Sequence, residues 1–263
     1  MKRTGFLFLL IIIFVSCNRT TEKNSAAKTK RNVSIREVID YEMKDILVKD
    51  TSCKKDVVKC AHVRVEYPEF YGNNSAIPNR LTHDLITYLM YDNDLGTSRS
   101  GDLKLVAKDF MTDYGNFKKS FPTSNLVWYF KLKSYPLYEH DSILCFAFES
   151  DLYRGGAHDL TGKYFITVNR YSGKKIVPLT LVSNRDAFKE ASEKIFRLKK
   201  GIKPDEDLNG AGFNFSGGKF KLPSNIGVCD SGFVLRYNVY EIAPFSEGPT
   251  EFVVPFSKAG ISK

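Results

Sequence analysis

Ten consecutive apolar residues, Phe6 to Val15, follow the basic pair Lys2 and Arg3 and end one small residue, Ser16, before Cys17. The order basic, apolar, small, cysteine is that of a signal peptide with a lipoprotein cleavage site. Residues 1–16 are therefore read as a removable leader, and Cys17 as the lipid-bearing first residue of the mature chain. The apolar run is short of the roughly 20 residues that a transmembrane helix needs, and no second apolar span occurs downstream. What remains is expected to fold outside the cytoplasm, tethered to a membrane by acyl chains. Asn18 rather than Asp follows the cysteine, with no acidic run after it, which points to a cell-envelope lipoprotein of the outer membrane facing the periplasm.

Residues 17–32 contain no large apolar side chain, so this stretch cannot bury a core and reads as a flexible tether. About 230 residues are then left, enough for one large α+β unit of two lobes. The formal charge of +9 falls to +7 once Lys2 and Arg3 leave with the leader. That excess favours anionic neighbours. The lysines are scattered, without the aromatic-interleaved basic stripe of a nucleic-acid binder, so no nucleic-acid partner is expected. Of the four cysteines after Cys17, Cys53 and Cys60 could close a short hairpin by a disulfide in an oxidising compartment. Spacing leaves the connectivity open.

Ile35–Val48 and Val57–Tyr67 alternate apolar and charged residues around a turn at 50–52, which predicts two paired strands, the second ending at Tyr67-Pro68. Leu81, Leu85, Ile86, Leu89 and Met90 fall at helical spacing after Pro78, and Asn93-Asp94-Leu95-Gly96 reads as the closing turn. Leu103, Val106, Phe110 and Met111 predict a second, shorter helix. Beyond Pro122 the texture is that of an antiparallel meander at 126–132, 142–150, 163–169 and 176–178, with a hairpin turn at Tyr171–Lys174. Phe188, Ala191, Ile195 and Leu198 mark an amphipathic helix over 184–200, stopped by Gly201. A polar, glycine-rich loop at 205–218 and strands at 220–222, 232–240 and 251–256 complete an α+β reading, antiparallel sheets with packed helices.

Several familiar chemistries are missing. Ala157 to Tyr164 misses a phosphate loop at both ends, having Ala157 for the first glycine and Tyr164 for the magnesium-binding hydroxyl. His62, His83, His140 and His158 show no zinc-ligand spacing, and no Gly-x-Ser-x-Gly elbow or His-Glu-x-x-His helix occurs. No metal, cofactor or enzymatic activity is expected. Two segments stand out instead. In Tyr153-Arg154-Gly155-Gly156-Ala157-His158, paired glycines after a strand allow a turn with positive φ, placing His158 at its tip. In Tyr240-Glu241-Ile242-Ala243-Pro244-Phe245, a carboxylate late in an apolar run either has a partner or faces a cleft.

The Gly155–His158 turn, the Asn169–Lys175 hairpin and the ending Tyr240–Phe245, Gly248-Pro249, Val254-Pro255-Phe256 resemble the extracellular region of RsiV-like proteins, lysozyme-sensing anti-sigma factors. Upstream, Arg64–Phe70 followed by Asn79 is similar to the N-terminal module that those proteins share with the peptidoglycan deacetylase PdaC. The resemblance spans about Ile35 to Ala259. It implies an N-terminal module at 33–140 and a C-terminal module at 141–263 with the larger sheet; it does not imply catalysis, because in PdaC the deacetylase chemistry belongs to a separate domain. Asp159 replaces the last glycine of the family's Gly-Gly-Ala-His-Gly. The missing transmembrane and cytoplasmic segments argue against anti-sigma activity. The basic charge opposes encounter with basic lysozymes unless a local acidic patch intervenes.

The resulting expectation is a non-catalytic, lipid-anchored envelope protein that binds a protein or glycan ligand, lysozyme or peptidoglycan among them. Its expected surface is Tyr153, Gly155, Gly156, His158, Tyr240 and Glu241. The alternatives are a glycan-acting enzyme using Glu241 and Glu247 as a carboxylate pair and a structural envelope assembly partner.

Overall fold

The computed structural model describes residues 38–54, 60–91 and 101–259. The leader, Cys17, the tether and the expected turn at 93–96 lie outside them. Strands β1 (Asp40–Lys49) and β2 (His62–Tyr71) pair antiparallel, Asp40 against Tyr71 through Lys49 against His62. Cys53 and Cys60, in the connection between them, are joined by a disulfide with Cα atoms 5.8 Å apart.

Strand β2 does not stop at Pro68, as the sequence suggests, but runs on to Tyr71. A proline cannot donate to a ladder. Here no donation is needed, because strand β3 (Tyr129–His140) pairs with β2 only along His62–Glu66. Beyond that point the Asn79 side chain takes over the ladder's role: its Oδ1 accepts from Phe70 N at 2.7 Å and its Nδ2 donates to Phe70 O at 2.9 Å.

Helices α1 (Ala76–Met90) and α2 (Leu103–Ser120) form the crossover that lets β3 return parallel to β2. Helix α2 is the longer of the two, against expectation. Asp102 caps it through Lys104 N and Leu105 N, and its apolar stripe continues past Met111 to Tyr114 and Phe117. Strands β4 (Ile143–Tyr153) and β5 (Leu160–Asn169) extend the sheet as the expected antiparallel meander, giving the order β1-β2-β3-β4-β5. The module division expected at 140/141 falls at the turn between β3 and β4, inside this sheet.

The expected strand at 176–178 does not form; a single bridge, Val168 to Lys175, precedes it and a 3-10 turn at Pro178–Leu181 follows. Helix α3 (Arg185–Lys200) forms as read, with Asn184 accepting from Ala187 N and Gly201 closing it at φ 70°. Acidic Asp186 in its first turn and basic residues in its last suit the helix dipole. Its buried stripe is Phe188, Ser192 and Phe196, leaving Leu198 83% exposed. Two residues turn a helix by about 200°, so Leu198 cannot share the face of Phe196.

No strand forms at 220–222. Strand β6 (Asn225–Cys229), which the sequence reading missed, instead pairs with β7 (Gly232–Tyr237), and β7 with β8 (Thr250–Pro255). The architecture is thus α+β, with one five-stranded and one three-stranded sheet.

The first hydrophobic cluster lies between the large sheet and the first two helices, where Val63, Val65, Phe130, Leu144 and Phe148 meet Ile86, Met90, Val106 and Phe110. The second joins β6–β8 to α3 and also takes in Cys145 and Phe165 from the large sheet. Gly227 permits that approach, since a Cβ there would sit 2.7 Å from the Phe165 ring. Among the described residues no helix is long and apolar enough to cross a membrane.

Candidate functional site

The small sheet covers part of the large sheet's second face, through Cys145 and Phe165. Beyond it the strands alternate outward Arg64 and Glu66, Lys131 and Lys133, and Glu149 and Asp151. With Ser150, Thr161, Lys163 and Arg236, these residues line an open cleft of about 570 Å³.

One wall of the cleft is an ionic brace between the sheets. Lys163 Nζ lies 3.1 Å from Glu251 and 3.6 Å from Glu149, and Arg236 lies 3.4 Å from Glu251. Burial alone would lower the Lys163 pKa, but the Glu251 hydrogen bond and charge outweigh it and raise it. Two asparagines, Asn225 on β6 and Asn238 just after β7, hold the exposed edge of β5. Asn238 accepts from Lys163 N and donates to Lys163 O, while Asn225 donates to Lys163 O and accepts from Phe165 N. A sheet edge is a row of unmet backbone groups, and here side chains meet them.

The β4–β5 loop leads straight into Thr161 and Lys163 and carries most of the residues singled out in the sequence. Gly155 and Gly156 adopt φ of 101° and 123°, values that favour glycine. Tyr153 donates its hydroxyl to Gly156 O at 3.2 Å and stacks on Tyr129, which in turn donates to Asp159 at 3.1 Å. Burial, then the Asp159 hydrogen bond, pushes the Tyr129 pKa up to about 12. Burial, then the charge of Asp159, raises Asp151. Asp159 thus anchors the loop to β3.

His158 joins this loop to the segment after β7. Its Nδ1 lies 3.0 Å from Asp159 O, which can only accept, so that nitrogen carries the proton. In the neutral ring Nε2 is then an acceptor, and Tyr240 donates its hydroxyl to it at 2.9 Å. Phe245 stacks on the His158 ring with centroids 3.8 Å apart and planes 15° from parallel. Tyr240 is 58% exposed and holds φ at 66°, a left-handed conformation costly for a bulky residue. Local strain of this kind, of order 1–3 kcal/mol, persists where surrounding contacts impose it. Here those contacts are the His158 hydrogen bond and the Phe245 ring.

Glu241 faces outward on the same turn and accepts from Asn238 N at 3.0 Å. Although the residue as a whole is exposed, partial burial of its carboxyl raises the pKa, and the Asn238 N–H partly offsets this. The other histidines are held locally: His62 by Cys60 O, His83 by Gly101 O and His140 by Asp141.

The structure therefore brings Tyr153, Gly155, Gly156, His158 and Tyr240 together, with Glu241 beside them. Sequence reading missed Phe245 as the ring beneath His158, and it missed the whole charged cleft. The period-two pattern Lys131-Leu132-Lys133 carried the signal for the cleft, since alternate charges on a strand mark one solvent-facing surface.

Two mixed α+β layers sharing a polar cleft and an aromatic rim define the class of molecule. Residues 180–257 match the family DUF3298, described as a protein of unknown function. The chain is similar to the crystal structure of a DUF3298 family protein from Pseudomonas aeruginosa PAO1, with 19% identity and a TM-score of 0.58 over 86% of this chain and 94% of that one. It is also similar to a DUF3298 family member from Bacteroides fragilis NCTC 9343, with 17% identity and a TM-score of 0.57 over 83% and 91% of the two chains. At these identities the likeness is one of fold. No curated protein matches.

Proposed function

We propose that this chain is a non-catalytic, lipid-anchored protein of the cell envelope that binds a protein or glycan ligand through the rim formed by Tyr153, His158, Tyr240, Glu241 and Phe245. The observation that carries the reading is Tyr240: an exposed aromatic ring held in a strained backbone conformation by two side-chain partners. Preorganised, partly exposed aromatic residues are the usual energetic centres of binding surfaces. The sequence around Cys17 supports the anchor, and the resemblance to lysozyme-sensing proteins makes lysozyme and peptidoglycan fragments the first ligands to try.

Calorimetric titration of the protein against both ligands tests the reading. Binding of at least one is expected, weakened roughly tenfold or more in Tyr240→Ala. Absence of binding to either, or full affinity in the variant, would sink it. Metabolic labelling with palmitate, lost in Cys17→Ala, is the expected result for the anchor.

A further inference from the structure

The cleft on the large sheet has a composition that the rim does not share, and we infer that it is a distinct subsite for an acidic glycan. The inference extends the binding role proposed above but rests on different residues.

Three observations carry it. First, about 570 Å³ is within the range of small-ligand sites, and the lining residues are almost all of polar or charged type. Leu132, the one aliphatic side chain among them, is buried, so the apolar surface of the cleft is supplied by the stems of its long polar side chains. Second, the lining presents both donors and acceptors. Arg64, Lys163 and Arg236 donate, Glu66, Glu149 and Asp151 accept, and the Thr161 hydroxyl does either. A polyhydroxylated ring, whose groups each donate and accept, fits such a lining better than a simple anion does.

Third, the cations are not equally satisfied. Arg64 pairs with Asp45 and Glu66, while Lys163 and Arg236 pair with Glu251. Lys131 and Lys133, side by side on the outer face of β3, make no ion pair among the described residues. Lys131 rests instead over the Tyr129 ring at 4.5 Å. Neither ammonium group lies within ion-pair distance of the carboxylates that strand register sets beside it, Asp151 for Lys131 and Glu66 and Glu149 for Lys133, so an incoming acid group can pair with both. The sugar hydroxyls would thus lie against the carboxylates and the cations beside them, and the ligand's carboxylate against Lys131 and Lys133.

The test uses two soluble oligosaccharides with the same backbone. One alternates N-acetylglucosamine with lactyl-bearing N-acetylmuramic acid; the other is neutral N-acetylglucosamine throughout. Titration of the intact protein should show the acidic oligomer binding roughly tenfold tighter or more than the neutral one, with affinity falling as salt rises. The paired charge reversal Lys131→Glu and Lys133→Glu should erase that preference, and Lys133→Glu alone, at an exposed position, should reduce it. Unchanged thermal melting in both variants would show the fold intact. Equal binding of the two oligomers, acidic binding that survives the paired reversal, or binding of a lysozyme with no binding of either sugar would overturn the inference. Peptidoglycan binding that depends on Tyr240 but not on the two lysines would leave the rim reading standing and remove this one.

Discussion

The two hydrophobic clusters are built by different means. Around the large sheet, the buried residues sit on regular elements: Val63 and Val65 on β2, Ile86 and Met90 on α1, Val106 and Phe110 on α2. Around the small sheet, Leu208, Phe213, Phe215, Phe220 and Ile242 are buried although none lies in a helix or strand. One ring organises them. Phe196 on α3 packs against Phe213, Phe215, Phe220, Tyr237 and Phe252, all with centroids between 5.1 and 6.2 Å. Irregular backbone around such a ring needs individual hydrogen bonds, and it has them. Arg197 donates to Lys203 O and Glu206 O, Asn209 accepts from Phe215 N, and Asn214 N donates to Ile242 O. The first cluster is held by repetition, the second by a hub.

A hub should fail at one point. Phe196→Ala is expected to cost near the top of the range of about 3–5 kcal/mol, whereas the equal deletion Phe110→Ala in the first cluster should fall near its bottom. Chemical denaturation of both variants compares them, and similar losses would remove the distinction.

Asn238→Ala comes next. It strips the β5 edge of two side-chain bonds and Arg236 of one, and about 1–3 kcal/mol should be lost because groups at the sheet junction are left unmet. Asn79→Ala, which removes the two bonds to Phe70 in the first region, should cost about 1–2 kcal/mol. A loss in Asn79→Ala larger than that in Phe196→Ala would invert the picture.

The smallest effect is expected at Glu241→Gln. The folded carboxyl titrates above its ordinary range, so between the ordinary and raised values the folded state binds its proton more tightly than the unfolded state does. Stability then falls as pH rises through that window. Glutamine keeps an acceptor for Asn238 N without the charge. The variant should melt slightly higher than the parent at neutral pH, by no more than about 0.5 kcal/mol, and equally below the ordinary glutamate range. A variant that melts lower at pH 7 would show Glu241 making a stabilising contact instead.

The same contrast explains what the sequence disclosed. Helix α3 could be read almost to the residue, because Asn184 and Gly201 are local signals that need no tertiary partner. The paired strands β1 and β2 were legible from alternation, and Tyr153, the paired glycines, His158 and Tyr240 from their unusual local chemistry. Pro68 misled because its tolerance depends on how far β3 runs alongside, which is tertiary information. Phe213 and Phe215 sit in a stretch whose glycines and polar residues signal a loop, Phe220 opens an expected strand that does not form, and all three are buried against Phe196, which arrives from elsewhere. The cleft was hidden for a related reason: its charges come from four strands of the large sheet and, with Arg236, from β7, and only tertiary pairing puts them together.

The rim joins the two regions, since His158 comes from the large sheet's loop and Tyr240 from the small sheet's. If it is the ligand surface, binding should be felt on both sides of that junction and not on the helical face. Amide hydrogen exchange with and without saturating peptidoglycan fragments or lysozyme tests this directly. The account predicts added protection at 153–163 and 238–247, with 76–90 and 103–120 unchanged. Protection confined to the two helical segments, or none at the rim under saturating ligand, would contradict it.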